Sequence, residues 1–156
     1  MKIAIGSDER TAVTDAVMDE LRRRGHELLP AGPLAVADQA RGEGGNDWPA
    51  VARDVAQAVA SGAADEGILF CWTGTGVSMA ANKVPGIRAA LCDDAETARG
   101  ARLWNNANIL CLSLRRASEP IAKEILDSWF NTSFVPNETD NACLAQLQEL
   151  ELWYKR

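Results

Sequence analysis

Apolar positions follow two rhythms along this chain. Continuous runs at 2–6 (KIAIG), 67–72 (GILFCW), 87–92 (IRAALC) and 108–113 (NILCLS) read as buried strands. HELLPAG at 26–32 reads as a weaker one, interrupted by Pro30. Between the runs, apolar residues recur at helical spacing. Residues 11–24 put Val13, Val17 and Leu21 on one face, with Arg22, Arg23 and Arg24 where the helix dipole favours cations and Gly25 as the stop. Val51, Val55 and Val59 form a second stripe, behind Asp47 as cap and Pro49 in the first turn. Further helices fit 76–82, 94–104, 119–130 (opened by Ser118 and Pro120) and 140–154. Five strands alternating with helices predict one three-layer α/β domain, a parallel sheet covered on both faces, followed by a C-terminal helix. The glycine-rich stretch 33–47, with RGEGGND, reads as a lid or as a surface connector.

Composition narrows the class. The 156 residues suffice for one domain with a full core, 47% of them are apolar and 24% charged, and no internal repeat or linker divides them. A net charge of −6 argues against nucleic acid or an anionic membrane as partner, because both require clustered positive charge. An anionic ligand must then be met by a few arginines or by backbone amides. Neither a signal peptide nor a membrane span is legible. Four cysteines without C-x-x-C spacing, three of them in apolar runs, suit reduced thiols in the cytoplasm. His26 is the single histidine, which leaves sites built from several histidines out of reach.

In an open parallel sheet, ligands bind beyond the carboxyl ends of the strands. The residues following each strand therefore map the site: Gly6 to Arg10, then Cys71 to Gly76, then Asp93 and Asp94, then Ser113, Arg115 and Arg116. The loop Thr73–Ser78 opens a helix, whose free N–H groups and dipole favour an anion or a developing oxyanion. It has neither the Walker spacing nor G-x-G-x-x-G. The same positive end favours the Cys71 thiolate over an ordinary thiol, whose pKa is about 8.5. Taken alone, Cys71 reads more simply as a small buried residue finishing a strand.

These residues carry a resemblance. CWTGTGVSMAANKVPGIRAALC is similar to the C-G-T-G-x-G-x-S-x-A-A-N-K-x-x-G-I-R-A segment of the type B ribose-5-phosphate isomerases, a family that includes galactose-6-phosphate isomerase subunits. KIAIGSDE resembles its strand ending in Gly-x-Asp-His, NDWPAVA its Asp-Tyr-Pro helix start, and WNNANILCLSLR its His-Asn-x-x-Asn-Val-Leu segment. The resemblance implies a Rossmann-like domain, a homodimer with sites completed across its interface (often a dimer of dimers), and isomerisation of a sugar or sugar phosphate without metal or cofactor. It further implies Cys71 as the base moving a proton between C1 and C2, and Thr73 hydrogen-bonded to it. The amides of Gly74, Thr75, Gly76, Val77 and Ser78 would stabilise the enediolate, Asp8 would contact sugar hydroxyls, and Asn105 would line the pocket.

Departures from the pattern are specific. The family's ring-opening histidine corresponds to Trp104, the histidine after Asp8 to Glu9, and the glycine after the cysteine to Trp72. The C-terminal phosphate-gripping arginines have no counterpart. Arg115 alone survives from that set, with Arg10 and Arg116 as substitutes. An open-chain or unphosphorylated substrate, or a non-catalytic sugar-phosphate-binding protein, are the competing readings. Among plainer roles, Asp8 and Glu9 would cap the first helix, and Arg88 would be structural. Trp72 and Trp104 would be pocket walls facing the rim. The last helix, with Cys143, Leu147, Leu150 and Tyr154, would serve dimer packing.

Overall fold

The computed structural model describes residues 1–35 and 46–153. Most of the glycine-rich stretch, and Tyr154, lie outside the described residues. Five parallel strands form one sheet: β1 (Lys2–Ser7), β2 (Glu27–Ala31), β3 (Glu66–Cys71), β4 (Ala89–Leu91) and β5 (Ile109–Ser113), in the order β2-β1-β3-β5-β4. Six helices accompany them: α1 (Ala12–Arg23), α2 (Trp48–Ala60), α3 (Thr75–Ala81), α4 (Ala95–Asn105), α5 (Glu119–Asn131) and α6 (Glu138–Trp153). The expected three-layer α/β architecture is present.

Two cores divide the helices between the faces. Val17, Met18 and Leu21 of α1, Ala98 and Ala101 of α4, and Ile125, Leu126 and Trp129 of α5 bury one face of the sheet around Phe70 and Leu112. Val51 and Val55 of α2, with Val77 and Ala81 of α3, bury the other around Leu69 and Cys111. Alternate residues of β3 thus enter opposite cores, as a strand's period of two requires. The chain leaves β1 for α1 on one face and β3 for α3 on the other, so the crevice between the carboxyl ends of β1 and β3 is a topological switch point.

Several local readings are corrected. Thr11, not Asp8 or Glu9, caps α1: its hydroxyl accepts from the Thr14 N–H while the Thr14 hydroxyl accepts from the Thr11 N–H. Asp47 occupies the cap position of α2 but its side chain makes no capping hydrogen bond. β4 is shorter than the apolar run predicts, because the Arg88 N–H is taken by the Asn108 side chain at 2.8 Å. Arg88 itself is structural as expected, its Nε donating to Asn106 O at 2.7 Å.

Both edges of the sheet are modified. Pro30 sits in the edge strand β2. On the opposite edge, the Asn82 amide at the end of α3 pairs with both polar backbone groups of Ala89. Its Nδ2 donates to Ala89 O at 2.8 Å, and the Ala89 N–H donates to Oδ1 at 2.9 Å. Helix α6 stands apart from the two layers: none of its residues is buried, and Leu150, Leu152 and Trp153 are exposed.

Candidate functional site

Cys71 ends β3 with 5% of its surface exposed, its side chain on the α2/α3 face of the sheet. The chain then reverses tightly. The Gly74 N–H donates to Cys71 O at 3.2 Å, and Gly74 takes a φ of 74°, in the left-handed region. A Cβ there would also lie 2.5 Å from Leu91 Cδ1 and 3.0 Å from the Leu112 carbonyl carbon, so only glycine fits. This turn delivers the N-terminus of α3 directly beyond the thiol.

The amide cradle is narrower than expected. The Gly74 N–H is committed to Cys71 O, and the Ser78 N–H donates to Gly74 O at 3.2 Å. That leaves the N–H groups of Thr75, Gly76 and Val77, which a helix's first turn does not pair. The Val77 side chain is fully buried and offers the site only its backbone. Thr73 Oγ1 pairs with Thr75 Oγ1 at 2.6 Å, and among the described residues no hydrogen bond joins Thr73 to Cys71.

The rest of the rim is assembled from β1 and β5. Register pairs Ser7 with Phe70 and Cys71 with Ser113, so Asp8 follows on one side of the thiol and Ser113 lies on the other. Ser113 Oγ and the Arg115 N–H both donate to Trp72 O at 3.0 Å, pinning the Trp72 backbone while its side chain stays 59% exposed. Asp8 is half-buried, and burial raises its pKa, with the Glu9 charge adding to the effect. Of the three arginines named for anion binding, Arg10 is paired with Asp15 at 2.8 Å and Arg116 with Asp93 at 3.4 Å. Among the described residues, only Arg115 of these has no ion-pair partner.

Trp104 and Asn105 are not at this rim. Helices in such a sheet run opposite to the strands, so α4 starts beside the rim at Asp94 and ends at the other end of the sheet. Its 11 residues span about 16 Å. Trp104, 52% exposed, instead lies back on Gly100, where a Cβ would come within 2.7 Å of the ring, and under the Arg99 guanidinium 5.7 Å from the ring centroid. It lines an open cleft of about 820 Å³ along the β4 edge with Asn105, Leu91, Cys143, Leu144 and Leu147. One chain therefore holds the expected site residues in two separate places.

One rim residue escaped the sequence reading. Trp48, the first residue of α2, lies against Gly76, where a Cβ would sit 3.0 Å from the indole. The aromatic wall beside the cradle thus comes from α2 as well as from Trp72. The NDWP segment was the available signal, but nothing in it specifies a contact with α3.

Comparison with known proteins identifies the family. The family model described as Ribose/Galactose Isomerase matches residues 3–147. A D-erythrulose-4-phosphate isomerase from Pectobacterium atrosepticum is 36% identical over 137 residues, covering 86% of this chain and 85% of that one. Ribose-5-phosphate isomerase B from Escherichia coli is 36% identical over 134 residues, 85% of each chain. The structure of ribose-5-phosphate isomerase B from Clostridium thermocellum superposes with a TM-score of 0.85 at 38% identity, covering 99% of both chains. With motif, sheet order and whole-chain similarity in accord, the chain belongs to the ribose/galactose isomerase family.

Proposed function

We propose that this sugar-phosphate isomerase interconverts an aldose and a ketose through an enediolate, with Cys71 as the base for the carbon-bound proton. The observation that carries the reading is the placement of the thiol at the end of β3, immediately before the unpaired amides of Thr75, Gly76 and Val77. Proton abstraction beside a carbonyl puts negative charge on oxygen, and fixed N–H groups aimed at that charge favour the transition state over the ground state. Thr73 and Thr75 supply hydroxyls, Trp48 and Trp72 aromatic walls, and Arg115 the cation for a phosphate.

The separation of Trp104 and Asn105 from Cys71 supports a site completed by a second copy. A homodimer that brings the β4-edge cleft of one chain to the rim of the other would unite the two sets. The exposed α6 borders that cleft and is a natural packing surface. Free cysteines and the class of reaction support a cytoplasmic location.

Trp104 points to the substrate. The indole N–H donates hydrogen bonds but is far too weak an acid to protonate a ring oxygen, so a sugar that must first be opened is poorly served. A four-carbon sugar phosphorylated at O4 has no hydroxyl left to close a five-membered ring, and D-erythrulose 4-phosphate is of this kind. It should be turned over more readily than ribose 5-phosphate, and Trp104→His should raise kcat/KM for ribose 5-phosphate. Steady-state kinetics on both substrates and both variants, at protein concentrations where sedimentation shows a dimer, test this. Efficient wild-type turnover of ribose 5-phosphate would overturn the preference. Absence of solvent-deuterium incorporation into any aldose or ketose phosphate would favour a binding protein.

A further inference from the structure

Two points of a substrate are fixed once Cys71 is the base and Arg115 the cation for the phosphate. C1 and C2 lie over the thiol, and the phosphate lies at the guanidinium. How many carbons fit between them depends on what stands between the two residues. Resting on that reading, we propose that Trp72 is a specificity-determining residue that sets this length. It admits a four-carbon ketose phosphate in preference to a five-carbon one, independently of ring opening.

Placement is the first argument. Trp72 follows Cys71 directly, and its carbonyl accepts the Arg115 N–H at 3.0 Å, so its backbone adjoins both the base and the cation. The β3–β5 ladder ends with Cys71 opposite Ser113, and neighbouring strands are about 4.8 Å apart. Base and cation are therefore rooted close together with the indole beside them. The ring is 59% exposed and belongs to neither core, so it stands at the mouth of the crevice. A glycine, which the motif resembled by this segment has at the same position, would leave that space to the substrate. On the α2 side Trp48 lies against Gly76 and bounds the cradle there.

Rigidity is the second argument. Cys71 O accepts the Gly74 N–H at 3.2 Å and the Leu114 N–H at 3.0 Å, while Trp72 O accepts Ser113 Oγ and the Arg115 N–H, both at 3.0 Å. Each carbonyl is thus held twice, and the base and the indole cannot separate without breaking these bonds. A longer substrate meets a wall that yields only by rotating a large, stiff side chain. The apolar ring suits the C–H surface of a short sugar chain lying along it. In D-erythrulose 4-phosphate, C3 alone separates the C2 carbonyl from the phosphorylated carbon; in D-ribulose 5-phosphate, C3 and C4 do. The second ketose has its O5 esterified, so it too cannot close a five-membered ring. The pair differs in length and not in ring opening, on which Trp104 bears.

Initial rates of wild type, Trp72→Gly, Trp72→Ala and Trp72→Phe on these two open-chain ketose phosphates test the assignment. Circular dichroism checks folding, sedimentation checks assembly, and deuterium uptake from D2O reports the carbon-bound proton transfer. Wild type should favour the four-carbon ketose in kcat/KM by roughly 10–200-fold, the range that one carbon commands in a pocket of fixed size. Trp72→Gly and Trp72→Ala should shrink that ratio at least about ten-fold, raising turnover of the five-carbon ketose while costing the four-carbon one several-fold through loss of its wall. Trp72→Phe, which keeps an aromatic ring, should retain most of the preference. Equal use of both ketoses by wild type would overturn the proposal, as would a ratio unchanged in Trp72→Gly and Trp72→Ala. Equal losses on both substrates accompanied by dissociation would instead make the indole a contact between copies, and would overturn it too. A wild type that takes up deuterium into neither ketose would remove Cys71 as base, a separate failure that takes the proposal with it.

Discussion

The two ends of β3 use polar chemistry in opposite ways. At its start, Glu66 is buried, and both carboxylate oxygens are taken. Oε2 accepts the Trp129 indole N–H at 2.7 Å, and Oε1 meets the Arg102 guanidinium at 2.6 Å. Arg102 also donates to Ala107 O at 2.6 Å and lies over the Trp129 ring, 4.9 Å from its centroid. At the other end, Cys71 precedes amides left unpaired by the first turn of α3, Trp72 is exposed, and among the described residues the Arg115 guanidinium has no ion-pair partner. A satisfied network fixes β3, α4 and α5 relative to one another. The unsatisfied rim, held in place by that fixity, keeps its donors free for a ligand.

Removing one group from each end should separate activity from stability. The largest effect is expected at the rim. Cys71→Ala should lower kcat roughly 10²–10⁴-fold. Its melting temperature should fall by only a few degrees, because the small cavity left costs about 1 kcal/mol. Activity near wild type would remove Cys71 from the mechanism and erase the contrast. Arg102→Met should do the reverse. It leaves the Glu66 carboxylate buried with no cation, a loss of about 3–5 kcal/mol, or on the order of 10 °C in melting temperature. The folded fraction should keep kcat within a few-fold. An unchanged melting curve would show that the network does not hold the sheet as described.

The smallest effect concerns a half-buried imidazole outside both regions. His26 stacks on Phe130 with centroids 4.8 Å apart, and its buried Nδ1 has no hydrogen-bond partner among the described residues. Burial lowers its pKa from the usual 6.5, with the N-terminal ammonium and Arg24 adding to the effect. The unfolded chain therefore binds this proton more readily than the folded one. The stabilisation is present above about pH 6.5 and is lost as the pH falls through the lower folded value. His26 is the only histidine, so denaturant unfolding between pH 7.5 and roughly 5.5 isolates its contribution. His26→Gln should flatten the slope over that window, and an equal slope in both proteins would assign it elsewhere.

The sequence made the architecture legible wherever pattern is local. Continuous apolar runs mark β1, β3 and β5 because each strand is buried on both faces. The Thr73–Ser78 loop was readable because a strand, a turn and a helix start follow one another without a gap. Features that depend on packing across the chain were not. Trp104, read from its place at a helix end, is expected at the rim, but a helix running against the strands carries its last residues away from it. Trp48 reaches Gly76 only because α2 and α3 lie side by side. The Glu66, Arg102 and Trp129 cluster joins three elements with no shared motif. The amide cradle was overcounted because closing the turn itself consumes the Gly74 N–H.

The amide of Asn82 has a consequence for how copies of this chain can meet. By occupying both backbone groups of Ala89, it closes that edge of the sheet to an incoming strand. With Pro30 in the opposite edge strand, neither border offers an unbroken row of donors and acceptors. Growth of the sheet from one molecule into the next is therefore discouraged at both ends, which guards against fibrous assembly. Association is left to side chains on helices and in clefts, where shape and charge complementarity can limit it to a finite number of copies.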